Sequence, residues 1–248
     1  MSNKNPMIIA HRGAKGMAPE NTLAAFRLGL SQGCEGIELD VHLTADEVIV
    51  VCHDLTLDRT TNGKGLIVEK GLSEIKNYDA GSWFGDDFKG ETIPTLDEVF
   101  KLVPDTIMIN VEVKYSYEGR MERKLVEMLR RSNRLNNVII SSFDHKCVRR
   151  IKQMEPEAKI GLLYQSNLLD PTAYAHSFDV EVYSLHPYFQ LLDIEDVRKA
   201  TENGLYVYPY TANEEKDLLQ LSDFGVSGII TDFPGRLKAL LKDRDSSK

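Results

Sequence analysis

Short apolar runs alternate with longer amphipathic segments along almost the whole chain. The runs are rich in isoleucine, valine and leucine, which is typical of strands buried in a sheet. The predicted strands lie at 7–10, 36–44, 107–114, 137–144, 159–165, 181–187, 205–212 and 227–234. If one hairpin strand is set aside, a helix-like segment follows each of them. Eight strand–helix units in 248 residues predict a closed TIM (β/α)8 barrel of the α/β class.

An open doubly wound sheet is the alternative, because it also alternates strands and helices. A nucleotide-binding sheet of that type carries a glycine-rich phosphate loop, G-x-G-x-x-G, after its first strand. Residues 11–16 instead read HRGAKG. The barrel is therefore the favoured fold.

Residues that begin and end helices support this assignment. Asn21-Thr22 precedes apolar residues at helical spacing, and Gly33 ends that segment. Thr95–Glu98 is a capping box, whose hydroxyl and carboxylate each accept a hydrogen bond from a free amide at the helix start. We expect Asn213 to open the helix after the seventh strand and the last helix to end near Leu241.

Residues 55–94 interrupt the alternation. The strand-like run at 47–54 is close enough to the second barrel strand to form a hairpin through Thr44–Asp46. The following residues show no clear period and contain the turn signal Asn62-Gly63. An excursion of about 40 residues is too small to fold alone. We predict a small insertion after the second barrel strand, within a single domain spanning 1–248.

Composition excludes several classes of function. Hydrophobic residues make up 42% of the chain and charged residues 27%, as in globular proteins with a sizeable core. The net charge is −8, and without a basic surface we expect no nucleic-acid partner but a small-molecule substrate. If that substrate is an anion, a bound divalent cation and a few basic residues would invert the local field.

Cysteine usage and the first residues predict a cytoplasmic protein. Cys34, Cys52 and Cys147 are odd in number and form no CxxC pair, which indicates reduced thiols and disfavours a zinc–thiolate site. The apolar run at 7–10 is too short for a signal-peptide core or a membrane span. We expect no membrane anchoring, and an oligomer is compatible with all of these features.

Polar residues collect at the carboxyl ends of the predicted strands, where TIM barrels place their active sites. The opposite strand ends carry no comparable set. A site assembled at one rim of the barrel is therefore predicted. Its candidates by position are His11-Arg12, Glu38, Asp40, His42, Glu112, Lys114, His186, Thr211, Asn213 and Asp232.

Three carboxylates are predicted to converge at this rim. Strand alternation separates Glu38 and Asp40 from the apolar residues beside them, and it places Glu112 in the same way on the third barrel strand. Carboxylates this close raise one another's pKa unless a cation lies among them. An all-oxygen set selects Mg²⁺ or Ca²⁺ rather than zinc. For Glu38 and Asp40 alone, a surface hairpin with outward polar residues is the alternative.

Two histidines are expected beside these carboxylates. His11 and His53 each follow an apolar run and precede a charged residue. Because imidazole titrates near neutral pH, one can accept a proton from the attacking oxygen while the other protonates the leaving oxygen. Arg12 and Lys114 supply positive charge suited to phosphoryl oxygens. The alternatives are structural hydrogen bonds for the histidines and carboxylate pairing for the cations; His42 is left out of the site.

These motifs resemble the glycerophosphodiester phosphodiesterase family in its bacterial cytosolic type. The resemblance extends over about residues 7–235. Where the family often has Trp-Thr-Val-Asn, this chain has Tyr210–Asn213, which keeps an aromatic ring without the indole. The matching segments are His11-Arg12-Gly13, Pro19–Thr22, Glu38–Val41, Val51–Asp54, Leu57–Thr61, Ile93–Leu96, Asn110–Lys114, Ser142-Phe143, His186-Pro187 and Gly228–Asp232.

The resemblance implies a TIM barrel with a small insertion after the second strand. It also implies hydrolysis of a glycerophosphodiester to sn-glycerol 3-phosphate and an alcohol, with one divalent cation as cofactor. The roles implied are metal binding by Glu38, Asp40 and Glu112, acid–base catalysis by His11 and His53, and phosphate binding by Arg12 and Lys114.

Three other functions stay open on the sequence. A lysophospholipase D-type activity on the same scaffold would need an apolar channel at the mouth, lined for instance by Trp83 and Phe84. A non-catalytic phosphodiester-binding module would need no pair of proton-transfer groups. A glycoside hydrolase would use the carboxylates alone and leave the two histidines without a role.

Overall fold

The computed structural model describes residues 5–246, which form a barrel of parallel strands surrounded by helices. The strands are β1 (Met7–His11), β2 (Gly36–Leu43), β3 (Ile49–Val51), β4 (Met108–Val113), β5 (Val138–Ser142), β6 (Lys159–Tyr164), β7 (Ser184–Pro187), β8 (Tyr206–Val207) and β9 (Gly228–Thr231). Their order in the sheet is β8-β7-β6-β5-β4-β2-β1-β9, and β3 pairs with β2 as an antiparallel hairpin outside this path.

Backbone hydrogen bonds between the segments that contain β8 and β9 bring the two ends of this order together. The amide of Ser227 donates to the carbonyl of Val207 at 3.0 Å. Farther along, the amide of Ile230 donates to Pro209 at 3.0 Å and that of Ala212 donates to Ile230 at 3.1 Å. The ring is thereby nearly closed and its edges are protected. The predicted TIM barrel is confirmed.

Helices connect the strands along the outside of the barrel. The helices that follow Thr22 and Thr95 begin as predicted, because Thr22 accepts from the amide of Ala25 at 3.2 Å and Thr95 forms a reciprocal capping box with Glu98. Within the described residues the α-helices are α1 (Leu23–Ser31), α2 (Leu72–Ile75), α3 (Leu96–Leu102), α4 (Arg120–Ser132), α5 (His145–Met154), α6 (Pro171–His176), α7 (Ile194–Glu202), α8 (Glu215–Phe224) and α9 (Pro234–Ser246).

Two predicted helix boundaries are wrong. Asn213 does not cap α8, which begins at Glu215, because the Asn213 side chain is engaged by Asp232 at the end of β9. The last helix does not end near Leu241 but continues to Ser246, since no glycine or proline follows to stop it.

The seventh barrel strand is shorter than predicted. The expected strand at 205–212 is reduced to Tyr206–Val207, with one isolated bridge between Tyr188 and Tyr210. Pro209 lies between these two pairings and has no amide hydrogen to donate to the ladder.

Strand alternation divides the buried side chains between two cores. Ile37 and Leu39 of β2 pack outward into the main core beneath the helices, together with Phe26 of α1. Burying each such side chain completely contributes about 1.5–3 kcal/mol. A smaller cluster that includes Ile9 fills the barrel interior. Since Ile9 precedes His11 by two residues on the same face, this cluster lies one layer below the rim.

The insertion after β3 is confirmed and has its own small core. It contains α2 and two single turns of 3-10 helix, Ile67–Glu69 and Asp86–Phe88. Leu57, Ile67 and Ile75 pack against Val50 of β3 in a cluster separate from the main core. The insertion is therefore anchored on the hairpin strand that leads to His53.

Two observations bear on the predicted location. Among residues 5–246, no helix is long and apolar enough to cross a membrane. Cys34, Cys52 and Cys147 are buried free thiols. The cytoplasmic location stays a prediction.

Candidate active site

The predicted site residues come together at the carboxyl ends of neighbouring strands. Parallel register places His11 of β1 opposite Glu38 of β2, and Asp40 of β2 opposite Glu112 of β4. Lys114 follows β4 directly. This is the rim at which TIM barrels carry their chemistry.

Glu38, Asp40 and Glu112 form a buried carboxylate cluster. One oxygen from each lies within 4.8 Å of the others. Burial raises the pKa of Glu38 well above its usual value, and repulsion from Asp40 and Glu112 raises it further. Burial and the charge of Asp40 raise the pKa of Glu112 to about 7. A cation among the three would offset this repulsion and favour the charged forms of Glu38 and Glu112.

The unsatisfied oxygen of this cluster fits a metal ligand. Oδ1 of Asp40 is buried without a hydrogen-bond partner, whereas nearly all buried acceptors in folded proteins have one. Nζ of Lys114 lies 3.5 Å from this oxygen. Hard divalent cations, both Mg²⁺ and Ca²⁺, bind carboxylate oxygens arranged in this way. The residues present therefore fit a single divalent cation.

Arg12 and Lys114 keep Asp40 in its charged form. Nε of Arg12 lies 3.2 Å from Oδ2 of Asp40, and Asn21 donates its amide to the same oxygen at 2.9 Å. Burial opposes ionisation, but Arg12 and Lys114 outweigh it and lower the pKa of Asp40 below its usual range. Lys114 also donates to Glu112 at 2.6 Å.

The turn after β1 brings Arg12 against this cluster. Arg12 has φ +53°, in the left-handed region that side chains adopt rarely, and Gly13 follows with φ +82°. In this conformation the Arg12 amide donates to Oε2 of Glu38 at 3.0 Å. A Cβ on Gly13 would lie 2.6 Å from the carbonyl carbon of Ala25, so the turn requires glycine there.

His11 is held by a carboxylate at the end of β9. Its Nδ1 lies 2.6 Å from Oδ1 of Asp232, and Oδ2 of Asp232 accepts from Asn213 at 2.9 Å. Nε2 of His11 faces the cluster, 3.9 Å from Oε2 of Glu38. Burial lowers the pKa of His11, and the hydrogen bond with Asp232 opposes that shift.

His53 has an equivalent carboxylate partner. Its Nδ1 lies 2.7 Å from Oδ1 of Asp54, which is itself bound by Arg59. Burial lowers the pKa of His53, while the charge of Asp40 opposes that shift. No described residue hydrogen-bonds Nε2 of His53. Each predicted catalytic histidine is thus anchored through Nδ1 and has Nε2 available for proton transfer.

Sequence reasoning did not assign roles to several residues that hold this site. Glu20, Arg59 and Asp232 lie in segments that carry the family resemblance, and Asp232 also ends a predicted strand, but the sequence assigns none of them a role. Asp54 directly follows His53. The histidines themselves could have predicted such partners. An imidazole has two ring nitrogens, and when it is buried each needs a hydrogen-bond partner, for which a carboxylate is suited.

Two further histidines, both buried, lie outside the predicted proton-transfer pair. His42 bonds the hydroxyl of Tyr117 at 2.6 Å and the carbonyl of His53 at 3.2 Å, so it supports the backbone of His53. Burial lowers the pKa of His42 to about 4. His186 bonds Ser184 at 2.8 Å, and burial lowers its pKa to about 3. Both are neutral at pH 7.

The other half of the rim is aromatic. Phe143, after β5, and Tyr188, after β7, each lie with ring centroids 6.1 Å from Tyr210, after β8. The hydroxyl of Tyr210 donates to the carbonyl of Tyr164 at 3.2 Å. The charged residues and the aromatic residues therefore occupy opposite sides of the mouth.

Comparisons with known proteins agree with this fold. A model of the glycerophosphoryl diester phosphodiesterase family matches residues 11–236. A glycerophosphodiester phosphodiesterase of Caldanaerobacter subterraneus subsp. tengcongensis is 45% identical over 240 residues, which cover 95% of this chain and 98% of that protein.

Two solved structures are similar over nearly their whole length. A phosphodiesterase of Oleispira antarctica, in complex with the product sn-glycerol-3-phosphate, has a TM-score of 0.87 and 32% identity, covering 96% of this chain and 97% of that one. A glycerophosphodiester phosphodiesterase of Agrobacterium tumefaciens has a TM-score of 0.85 and 30% identity, covering 94% and 99%. The chain therefore belongs to the glycerophosphoryl diester phosphodiesterase family and is an enzyme that hydrolyses glycerophosphodiesters.

Proposed function

We propose that this hydrolysis, which yields sn-glycerol 3-phosphate and an alcohol, uses one divalent cation and two histidines. Glu38, Asp40 and Glu112 would hold the cation, Mg²⁺ or Ca²⁺. His11 and His53 would transfer the protons. The observation that carries the proposal is the buried cluster of three carboxylates, one of which has an oxygen without a hydrogen-bond partner.

The two histidines are suited to opposite ends of an in-line displacement. One accepts a proton from the attacking oxygen, which belongs to water or to a glycerol hydroxyl. The other donates a proton to the departing alcohol oxygen. Each is oriented by a carboxylate at Nδ1, within 2.6 Å for His11 and 2.7 Å for His53.

Arg12 and Lys114 provide positive charge next to the reacting phosphate. Both side chains are largely buried and lie against Asp40. Charged donors in a dry site stabilise developing phosphoryl charge far better than they would in water. When bound, the divalent cation supplies Lewis-acid stabilisation of the same charge.

We propose further that the chain acts as a single domain, 1–248, in the cytoplasm. Its partner would be a small-molecule glycerophosphodiester, with no nucleic acid and no membrane anchoring. The acidic net charge of −8 supports the exclusion of nucleic acid.

The test measures release of sn-glycerol 3-phosphate from glycerophosphocholine and glycerophosphoethanolamine. Wild type should be active, EDTA should abolish the activity, and added Mg²⁺ or Ca²⁺ should restore it. His11→Ala and His53→Ala should each lose most of the rate, whereas His176→Ala, exposed at the end of α6, should behave as wild type.

Other results would contradict the proposal. Full activity in EDTA would exclude the metal, and full activity of His53→Ala would exclude the two-histidine mechanism. Hydrolysis of lysophosphatidylcholine in preference to both water-soluble diesters would favour the lysophospholipase D alternative.

A further inference from the structure

Arg59 of the insertion lies between two carboxylates at the edge of the site. Its Nε and NH2 donate to Asp54 at 2.7 and 3.1 Å. Its NH1 and NH2 donate to Glu20 at 2.9 and 2.8 Å. Four hydrogen bonds from one guanidinium to two carboxylates define its position closely, although 45% of the side chain is exposed.

Each of these carboxylates also hydrogen-bonds a residue of the proposed mechanism. Asp54 contacts Nδ1 of His53 at 2.7 Å. Glu20 accepts from NH1 of Arg12 at 2.8 Å. The hydrogen bonds therefore form an unbroken chain in the order His53, Asp54, Arg59, Glu20, Arg12. This series of hydrogen bonds joins the end of β3 to the turn after β1 without passing through the carboxylate cluster.

Charge explains why this series of hydrogen bonds needs a cation at its centre. Glu20 is buried, with only 7% of its side chain exposed, and both of its oxygens accept from Arg59. Without Arg59, Glu20 would have only Arg12 to neutralise it and would draw that guanidinium away from the phosphate. Asp54 would also be free to turn from His53 toward water.

We propose that Arg59 is a positioning residue for the reaction. It holds His53 through Asp54 and Arg12 through Glu20. The inference rests on the proposed roles of His53 and Arg12, and it gives the insertion a part in catalysis. Arg59 itself does not touch the reacting atoms.

The geometry requires a guanidinium rather than a simple positive charge. Arginine presents donors in a planar fork that can bind two carboxylates in parallel pairs, whereas lysine donates from one nitrogen. Arg59→Lys is therefore expected to keep the charge but to satisfy one carboxylate at a time. Its activity should lie between that of wild type and that of Arg59→Ala.

The alternative is that Arg59 merely attaches the insertion to the barrel. Arg198 provides a matched control, because it also bridges two carboxylates, Glu195 and Glu202, on the outer surface of α7. An attachment role would make Arg59→Ala lower the thermal midpoint without specific kinetic effects.

The experiment measures kcat and KM for glycerophosphocholine, together with the thermal midpoint, for Arg59→Ala, Arg59→Lys and Arg198→Ala. Loss of a residue that orients a metal ligand typically costs about 10- to 100-fold in activity, and the same range serves here for a residue that orients a proton-transfer group. We expect about that loss in kcat/KM for Arg59→Ala, mainly in kcat, a smaller loss for Arg59→Lys, and wild-type kinetics for Arg198→Ala. Millimolar guanidinium should restore part of the activity of Arg59→Ala.

A double-mutant cycle with Asp54→Asn separates positioning from attachment. If Arg59 acts through Asp54, Arg59→Ala should cost much less in the Asp54→Asn background. Additive losses without guanidinium rescue would overturn the inference, as would kinetics of Arg59→Ala within about twofold of wild type. If Arg59→Ala does not fold, Arg59→Lys decides, and wild-type kinetics would overturn the inference.

These failures are distinct from failure of the proposed function. An inactive wild type or an active His53→Ala would remove the mechanism on which the inference rests. An active wild type, an inactive His53→Ala and an unaffected Arg59→Ala would refute the role of Arg59 alone.

Discussion

Asp232→Asn is expected to impair catalysis by reversing the hydrogen bond that orients His11. In the native site, Oδ1 of Asp232 faces Nδ1 of His11 and Oδ2 accepts from the amide group of Asn213. The side-chain amide of Asn213 cannot flip, because its oxygen already accepts from the Asp232 backbone amide at 2.9 Å and from the Thr231 hydroxyl at 3.2 Å. The new asparagine would therefore give its oxygen to Asn213 and present its NH₂ group to His11.

The consequence is a change of tautomer. Nδ1 of His11 would become an acceptor, so the proton would move to Nε2, the nitrogen that faces the carboxylate cluster at 3.9 Å from Glu38. A hydrogen bond to a charged group contributes about 1.5–3 kcal/mol. Each factor of ten in rate corresponds to about 1.4 kcal/mol. Loss of the hydrogen bond between Asp232 and His11 in the transition state should therefore lower kcat/KM by about 10- to 150-fold.

The assay is steady-state release of sn-glycerol 3-phosphate, with the thermal midpoint measured in parallel. Asp223→Asn is the matched control, because Asp223 pairs with Arg244 on the surface. We expect the loss for Asp232→Asn in kcat, with little change for the control. A folded Asp232→Asn enzyme within about threefold of wild type would refute the argument that Asp232 orients His11.

Three further predictions concern stability, thiol reactivity and acid. A Cβ at Gly161 would lie 2.4 Å from Nε2 of His186 inside the barrel, so Gly161→Ala should lower the free energy of unfolding by about 1–3 kcal/mol in urea titrations; an unchanged midpoint would contradict this. Burial raises the pKa of Cys34 and Cys52 to about 12, so a thiol reagent at pH 8 should label them only at the rate of unfolding, and rapid labelling of the native protein would refute their burial. Backbone hydrogen bonds from Ser82, Gly90 and Gly81 lower the pKa of Asp79 to about 2. The stability that ionised Asp79 gives the folded protein is then fully present above the ordinary pKa of 3.8, and it is lost as pH falls from there toward 2. The advantage of wild type over Asp79→Asn in thermal midpoint should be present at about pH 6 and shrink at about pH 3; an advantage independent of pH would contradict the assignment.

The fold could be predicted largely because its signals are local. Apolar runs, strand alternation and capping boxes act within a few residues, so they can be recognised before any tertiary contact is known. Alternation in β2 correctly assigned Ile37 and Leu39 to the outer core and Glu38 and Asp40 to the site face. The late end of α9 and the shortened β8 have local causes, whereas the start of α8 was predicted wrongly because a distant residue engages a local group.

Asn213 illustrates that competition. An asparagine before a helical segment is an ordinary cap, yet its side chain binds Asp232, 19 residues away along the chain. The residues near Asn213 in the sequence do not predict this partner. The structure therefore begins α8 one residue later than a cap at Asn213 would, at Glu215.

The α/β barrel, the insertion and the candidates for metal binding and proton transfer could be recognised from the sequence, because residue type and strand period are local properties. What holds those candidates in place depends on tertiary contacts. Asp232 reaches His11 across 221 positions, and Arg59 reaches Glu20 across 39. Such pairs depend on how the barrel closes and on where the insertion packs. They form because each buried charge or imidazole must find a partner in three dimensions, whatever its separation along the chain.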